Sequence, residues 1–316
     1  MREDVLFKID GVSRENLEYL AEARARNGEA RYLELADIAS ALAAEALPLF
    51  ADGYTVRDVF SMLLGAAEMP SAEPTPSVSG TGRMLSFLSA DTDNLDKVVL
   101  AELIISELHA VGRVVSEADF LPSEPEEATV TYVRNALSDE AFDVFAEELS
   151  DPRVVYADSL TDSARAVSAG EVSYCLLPLE ERGGVRLAVS SELMLKYDLK
   201  INSVTPVFGL DGGADLKYAL LSRSFRVPSE NEGDDRYLEI RLFDKSTEAL
   251  TRVLDAAAIY GSEIYRVNTV ALESEGEREL FYSLVLRTEG DFTALLTYLT
   301  AFCDDFAAVG IYKNLE

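Results

Sequence analysis

The sequence has no apolar run approaching a membrane span, one histidine, His109, and two cysteines, Cys175 and Cys303. A spanning helix needs about 20 consecutive, mostly apolar residues, so none is expected. The opening MREDVLFKID lacks a basic segment followed by an apolar core and does not read as a secretory leader. A cytoplasmic location is expected. One histidine supplies neither a histidine cluster for zinc nor a second imidazole to pair with, and its place in a helical apolar pattern predicts a structural role. The cysteines lie far apart in sequence, each inside an apolar stretch, which predicts two buried free thiols in a reducing compartment. Positive charge is scarce too. Against 57 acidic residues stand 28 basic ones, for a net charge of −29, and the only lysines are Lys8, Lys97, Lys196, Lys200, Lys217, Lys245 and Lys313. That balance opposes phosphate backbones and anionic lipid surfaces, so neither nucleic acid nor membrane is an expected partner. No P-loop, dinucleotide fingerprint or zinc spacing occurs, and no cofactor or metal is expected.

What is present is enough apolar material for a multidomain protein: 316 residues, 48% of them hydrophobic. Residues 1–120 read as an all-α region. Apolar residues recur at helical spacing in Leu33, Ala36, Ala43 and Leu47, and again in Ala101, Ile104, Leu108, Val111 and Val115. Thr55 with Asp58 can cap the helix VRDVFSMLLGAAE, and residues 69–82 have the Pro, Ser and Gly content of a flexible connection. The stretch LPSEPEEA, residues 121–128, marks a boundary. Residues 128–227 alternate strand-like runs (TVTYV, RVVYA, VSYCLLPL) with helical stretches at 138–149 and 161–169, the pattern of an α/β sheet. Gly170 suits the position past a helix end where φ is positive. LKINSVTPVF and LKYALLS flank GLDGGAD, a turn that would make them sheet neighbours. After the polar segment 226–236, residues 236–316 read in the order β-α-β-β-α-β, a ferredoxin-like α+β unit with a helix closed by Gly261.

A βαββαβ unit behind an α/β domain resembles the ACT amino-acid-sensing domain, and the upstream residues resemble prephenate dehydratase, which decarboxylates and dehydrates prephenate to phenylpyruvate. TVTYVRNALSDEAFDVF looks like that family's first strand and serine-containing helix start, so the resemblance implies a catalytic role for Ser138. Glu180, Glu181 and Arg182, with Pro178 and Leu179 before them and Gly183 and Gly184 after, stand at its Pro-Ile-Glu-Asn-Ser substrate motif. Its Thr-Arg-Phe signature falls on Leu216, Lys217 and Tyr218, which leaves Lys217 as the cation for a substrate carboxylate without arginine's bidentate fork. The alternative alignment puts Ser222, Arg223 and Phe225 there. In the ACT portion the ligand motifs fall on Glu248, Ala249, Leu250 and Thr251 and on Tyr265–Val270, where Arg266 and Asn268 share a strand face and either reach a carboxylate or meet solvent.

Two departures weigh against catalysis. The signature hydroxyl is gone, and only about 30 residues separate Arg182 from Leu216, where the family inserts a second lobe on the order of a hundred residues. Two readings stay open: a catalytically degenerate protein that senses a small metabolite, an aromatic amino acid in the family's case, or, as the alternative, an active prephenate dehydratase with a regulatory ACT domain. Arg24, Arg26 and Arg31 cluster near a helix end and Arg113 lies on the last helix, a thin set for the dianion site of a chorismate mutase that reads as surface solvation, so the helices are expected to serve dimerisation or docking. The acidic pairs Glu126–Glu127, Glu147–Glu148 and Asp304–Asp305 read as solvated charge. A homodimer through residues 237–316 is expected, because Phe281, Leu284 and Leu296 need more cover than one layer provides.

Overall fold

The computed structural model describes residues 14–64, 93–121, 128–149, 152–182, 184–208, 214–228, 235–244, 246–274, 277–303 and 305–315. The expected connection at 69–82, the boundary residues 122–127 and the turn residues 209–213 lie outside them. Two compact units partition the chain.

Unit 1 draws on residues up to Phe120, on Leu242–Ile264 and on Gly290–Phe306. Its helices are α1 (Arg14–Ala51), α2 (Val56–Leu64), α3 (Asn94–Ala110), α4 (Glu117–Phe120), α8 (Thr247–Ile259) and α9 (Thr293–Phe302). Residues 1–120 thus share their unit with two helices from the C-terminal third. Gly28, at φ 73°, interrupts α1. The Thr55 hydroxyl accepts from the Asp58 amide at 3.1 Å while the Asp58 carboxylate accepts from the Thr55 amide at 3.2 Å, the expected reciprocal cap of α2. The buried stripe of α1 is Leu35, Ile38, Ala39, Leu42, Ala43 and Ala46; of the spacing read from sequence, Ala43 lies in that stripe, Ala36 and Leu47 are half-buried and Leu33 is 38% exposed.

α3 is the unit's axis, packed on by α1, α8 and α9. It is buried from Val98 to Ile104, which is why its apolar residues run almost continuously rather than as one stripe. Polar contacts fix the neighbours. The Tyr260 hydroxyl donates to Val98 O at 2.9 Å, Asn94 donates to Arg252 O at 3.1 Å, and Tyr298 donates to Asn94 Oδ1 at 2.6 Å. Arg31 is bound by Asp96 at 2.8 Å and Glu34 at 3.0 Å, and Arg113 pairs with Asp119; nothing is described for the side chains of Arg24 and Arg26. His109 lies exposed on the last turn of α3, not in a core as its spacing suggested, because the buried arc of that helix passes through Leu108.

Unit 2 draws on Leu121–Arg241, Tyr265–Glu289 and Ala307–Glu316. Its elements are β1 (Thr129–Tyr132), α5 (Ala136–Glu148), β2 (Arg153–Tyr156), α6 (Leu160–Ser168), β3 (Tyr174–Glu181), β4 (Val185–Arg186), α7 (Ala188–Lys196), β5 (Lys200–Phe208), β6 (Ala214–Ser222), β7 (Arg236–Leu242), β8 (Glu263–Ser274), β9 (Glu277–Thr288) and β10 (Phe306–Lys313). They form one 10-stranded sheet, ordered β2-β1-β3-β6-β5-β10-β7-β9-β8 with β4 beside β3. β1 runs parallel to β2 and β3, and β6 pairs antiparallel with both β3 and β5, as the turn reading anticipated for the latter pair. The expected glycine stops are present, with Gly170 at φ 74° after α6 and Gly261 at φ 75° after α8. Between Arg182 and Leu216 the described residues form β4, α7, β5 and the start of β6.

Strand alternation assigns the two faces. On β3, Tyr174 and Leu176 meet Ala141 and Phe145 of α5, while Cys175, Leu177 and Leu179 meet Ala164 of α6 and Leu193 and Met194 of α7. Cys175 is a buried free thiol, whereas Cys303 is only half-buried, at the end of α9, a correction to the expectation of two buried thiols. The two stretches of sheet join where β10 runs parallel to β5 at Gly310 opposite Ile201. A Cβ at Gly310 would lie 2.5 Å from Ile201 Cβ and 2.6 Å from Ile201 O, so the strands meet only because this residue has none. Phe281, Leu284 and Leu296 are buried within the single chain, so they do not demand a partner.

Candidate functional site

A buried set of charges occupies the α7 face of the sheet in unit 2. Cross-strand register builds it. A bulge between Pro178 and Glu180 of β3 sets Glu180 opposite Lys217 of β6, and β4 sets Arg186 opposite the same glutamate. The Glu180 carboxylate is 2.7 Å from Arg266 of β8 and 3.9 Å from both Arg186 and Lys217. On β7 the alternation Tyr237, Glu239, Arg241 places these three on one face and Leu238 and Ile240 on the other. Glu239 pairs with Arg186. Tyr237 stacks on Tyr312 of β10, their centroids 5.6 Å apart, and meets Tyr265 edge-on at 5.2 Å. Burial pushes the Tyr312 hydroxyl far above its ordinary pKa, and the negative charge of Glu239 adds to the effect.

Beside this network a cavity of about 480 Å³ opens between β4 and α7 on one side and β7, β8 and β9 on the other. Its polar lining includes Arg186, Arg241, Glu192, Glu239, Asn268 and Ser283, and its apolar lining Met194, Val270 and Phe281. Arg186, Lys217 and Arg266 surround Glu180 beside the cavity, while the cavity wall itself carries Arg186 and Arg241 together with the buried Glu239 and the exposed Glu192.

The residues singled out from sequence are partly gathered here. Glu180, Lys217 and Arg266 meet in the network, and Asn268 lines the cavity. The others lie apart from it or serve the fold. The Ser138 hydroxyl donates to Val133 O at 2.8 Å and accepts from the Asn135 amide at 2.9 Å, closing the capping box of α5. Ser222 is buried, accepting from Asn202 at 2.7 Å and donating to Ser224 O at 2.6 Å. Glu181, Arg182 and Arg223 are exposed. In unit 1, Glu248 reaches toward Arg252 at 3.8 Å, and the Ala249 and Leu250 amides donate to the side chain and carbonyl of Ser246, the cap of α8. Sequence reasoning missed Arg186, Glu239, Arg241 and Ser283. The available signal was YLEIRLF, a strand with a charge at every second position in an otherwise apolar run.

Among the described residues no cluster of three or more His, Cys, Asp or Glu side chains is placed to hold a metal ion, and no helix is long and apolar enough to cross a membrane.

No protein-family model matches the sequence, and no curated protein matches it significantly. Solved structures give likenesses of fold. Prephenate dehydratase from Streptococcus mutans is 14% identical, with a TM-score of 0.47 over 60% of this chain and 99% of its own. Prephenate dehydratase from Arthrobacter aurescens, solved in complex with L-Phe, is 14% identical, with a TM-score of 0.44 over 58% of this chain and 90% of its own. GqqA, described as a novel type of quorum quenching acylase, is 17% identical, with a TM-score of 0.44 over 59% and 95%. At those values the likenesses assign neither activity nor ligand to this chain.

Proposed function

We propose that this protein is a noncatalytic, prephenate dehydratase-like binder of a small metabolite, acting in sensing or regulation rather than as a lyase. The observation that carries this reading is the state of its would-be substrate-binding and catalytic groups. Glu180, 3% exposed, is enclosed by three cations, and the Ser138 hydroxyl is committed to a helix cap. Groups held by one another in a packed sheet are not free to clamp a substrate's carboxylates. The segment between Arg182 and Leu216 also forms no second lobe among its described residues to close a cleft and exclude water.

Residues 236–316 are read as a ferredoxin-like, ACT-type module within this assembly, a reading favoured by their element order and by the strand order β10-β7-β9-β8. A homodimer is proposed through β8, which ends the sheet and exposes Tyr265 and Val267 along its edge. Incubation with prephenate, followed by absorbance of phenylpyruvate, tests the main reading. No turnover above the uncatalysed rate is expected from the wild type or from the double variant Leu216→Thr, Lys217→Arg. Robust wild-type turnover would overturn it.

A further inference from the structure

We infer that the cavity between β4, α7 and strands β7–β9 is a binding site for a small organic monocarboxylate with an apolar body, anchored by Arg241. This deepens the metabolite-binding reading above and rests on it.

Arg241 is 9% exposed and lines the cavity, yet no Asp or Glu oxygen among the described residues lies within salt-bridge distance of it. Its guanidinium lies over the Phe281 ring, whose centroid is 5.7 Å from the guanidinium carbon. The one buried carboxylate on the cavity wall, Glu239, is already held by Arg186. Arg186 in turn keeps Nη1 buried without a hydrogen-bond partner. Burying a guanidinium with no carboxylate bonded to it is costly, and desolvation pulls the pKa of Arg241 below its ordinary value even though the charges of Glu239 and Asp198 act the other way. Chains retain such an arrangement where an anion completes it, and a planar fork of N–H donors matches a carboxylate in two parallel hydrogen bonds.

The lining also distinguishes among anions. Asn268, Ser283 and Ser191 can orient a carboxylate or a neighbouring polar group, while Met194, Val270 and Phe281 offer an apolar wall to the rest of the molecule. A volume of about 480 Å³ suits a compact ligand. A zwitterionic amino acid fits less well, because Glu239, the buried carboxylate of the lining, is already held by Arg186, and the other, Glu192, is exposed to solvent.

The test is isothermal titration of the full chain with 3-phenylpropionate, its neutral amide 3-phenylpropanamide, and L-phenylalanine. Saturable binding of the carboxylate, with the amide and the zwitterion at least tenfold weaker, is expected. Arg241→Met should weaken carboxylate binding by about 10- to 100-fold, the range for a lost charge-assisted hydrogen bond, without lowering the melting temperature of the unliganded protein. Val185→Trp, at the exposed lip of the cavity, leaves both guanidiniums in place and should also weaken binding, which covers the case in which the arginine variant does not fold. Equal binding of carboxylate and amide, or unchanged affinity in both variants, would overturn the assignment. If 3-phenylpropionate binds but neither variant weakens it, the metabolite-binding reading survives with its site elsewhere. Absence of binding by all three probes overturns the site, while the prephenate assay judges the noncatalytic reading separately.

Discussion

Replacing Glu102 with Gln should stabilise unit 1 at pH 8 and leave it nearly unchanged at pH 4. Glu102 lies on α3, 3% exposed, and burial raises its pKa from 4.5 to about 7, with the charge of Asp291 adding to the effect. The sign follows from which state holds the proton more tightly. Below pH 4.5 the carboxyl is protonated in both folded and unfolded chains and imposes no penalty. Between 4.5 and about 7 the unfolded chain releases its proton while the folded one retains it, so stability falls as pH rises; above about 7 the loss is complete. At about 1.4 kcal/mol per unit, the shift amounts to about 3 kcal/mol. Gln abolishes the titration but buries an amide, which offsets part of the gain, so a net stabilisation of about 1–3 kcal/mol at pH 8 is expected. Melting curves of wild type and variant from pH 4 to 8 provide the measurement. At roughly 2–4 °C per kcal/mol, the two should coincide near pH 4 and separate by several degrees above pH 7. A constant difference across the range, or a variant less stable at pH 8, would refute the assignment of a strained buried carboxyl. Carboxylates with depressed pKa values, Asp58 beside Thr55 and Asp244 beside Ser246, contribute equally to both proteins and cancel in the comparison.

Gly310→Ala should cost about 1–3 kcal/mol or more in urea unfolding, since the added methyl meets the Ile201 backbone where β10 joins β5; an unchanged midpoint would mean the strands part easily. Glu180→Gln should cost about 3 kcal/mol by leaving Arg266, Arg186 and Lys217 without their shared carboxylate, and a neutral result would show that the network is solvated. Iodoacetamide at pH 8 should label half-buried Cys303 and spare Cys175 in the native protein, because burial raises the Cys175 thiol pKa; equal labelling of both by peptide mass spectrometry contradicts the packing of β3.

Local signals were legible in the sequence because their cause is local. Thr55 and Asp58 cap a helix by mutual reach over three residues, and Gly170 and Gly261 stop helices because they adopt positive φ. On α1 the spacing finds the buried Ala43 but not the full stripe, because small alanines populate both faces and only contact with α3 decides that Leu35 rather than Leu33 turns inward. Half of the site was visible as individual residues, Glu180, Lys217, Arg266 and Asn268. Their convergence was not, because Arg186 and Glu239 are 53 residues apart in sequence and meet only through the order of strands in the sheet. The burial of Phe281 and Leu284 was hidden for a similar reason: a strand reveals its alternation but not what will cover each face.

Crystals soaked with 4-bromobenzoate and measured at the bromine absorption edge test the central claim most directly. The account predicts an anomalous peak in the cavity beside Met194 and Phe281, with the carboxylate about 3 Å from the Arg241 guanidinium. A bromine site elsewhere in the molecule, with this cavity holding only water, would contradict it.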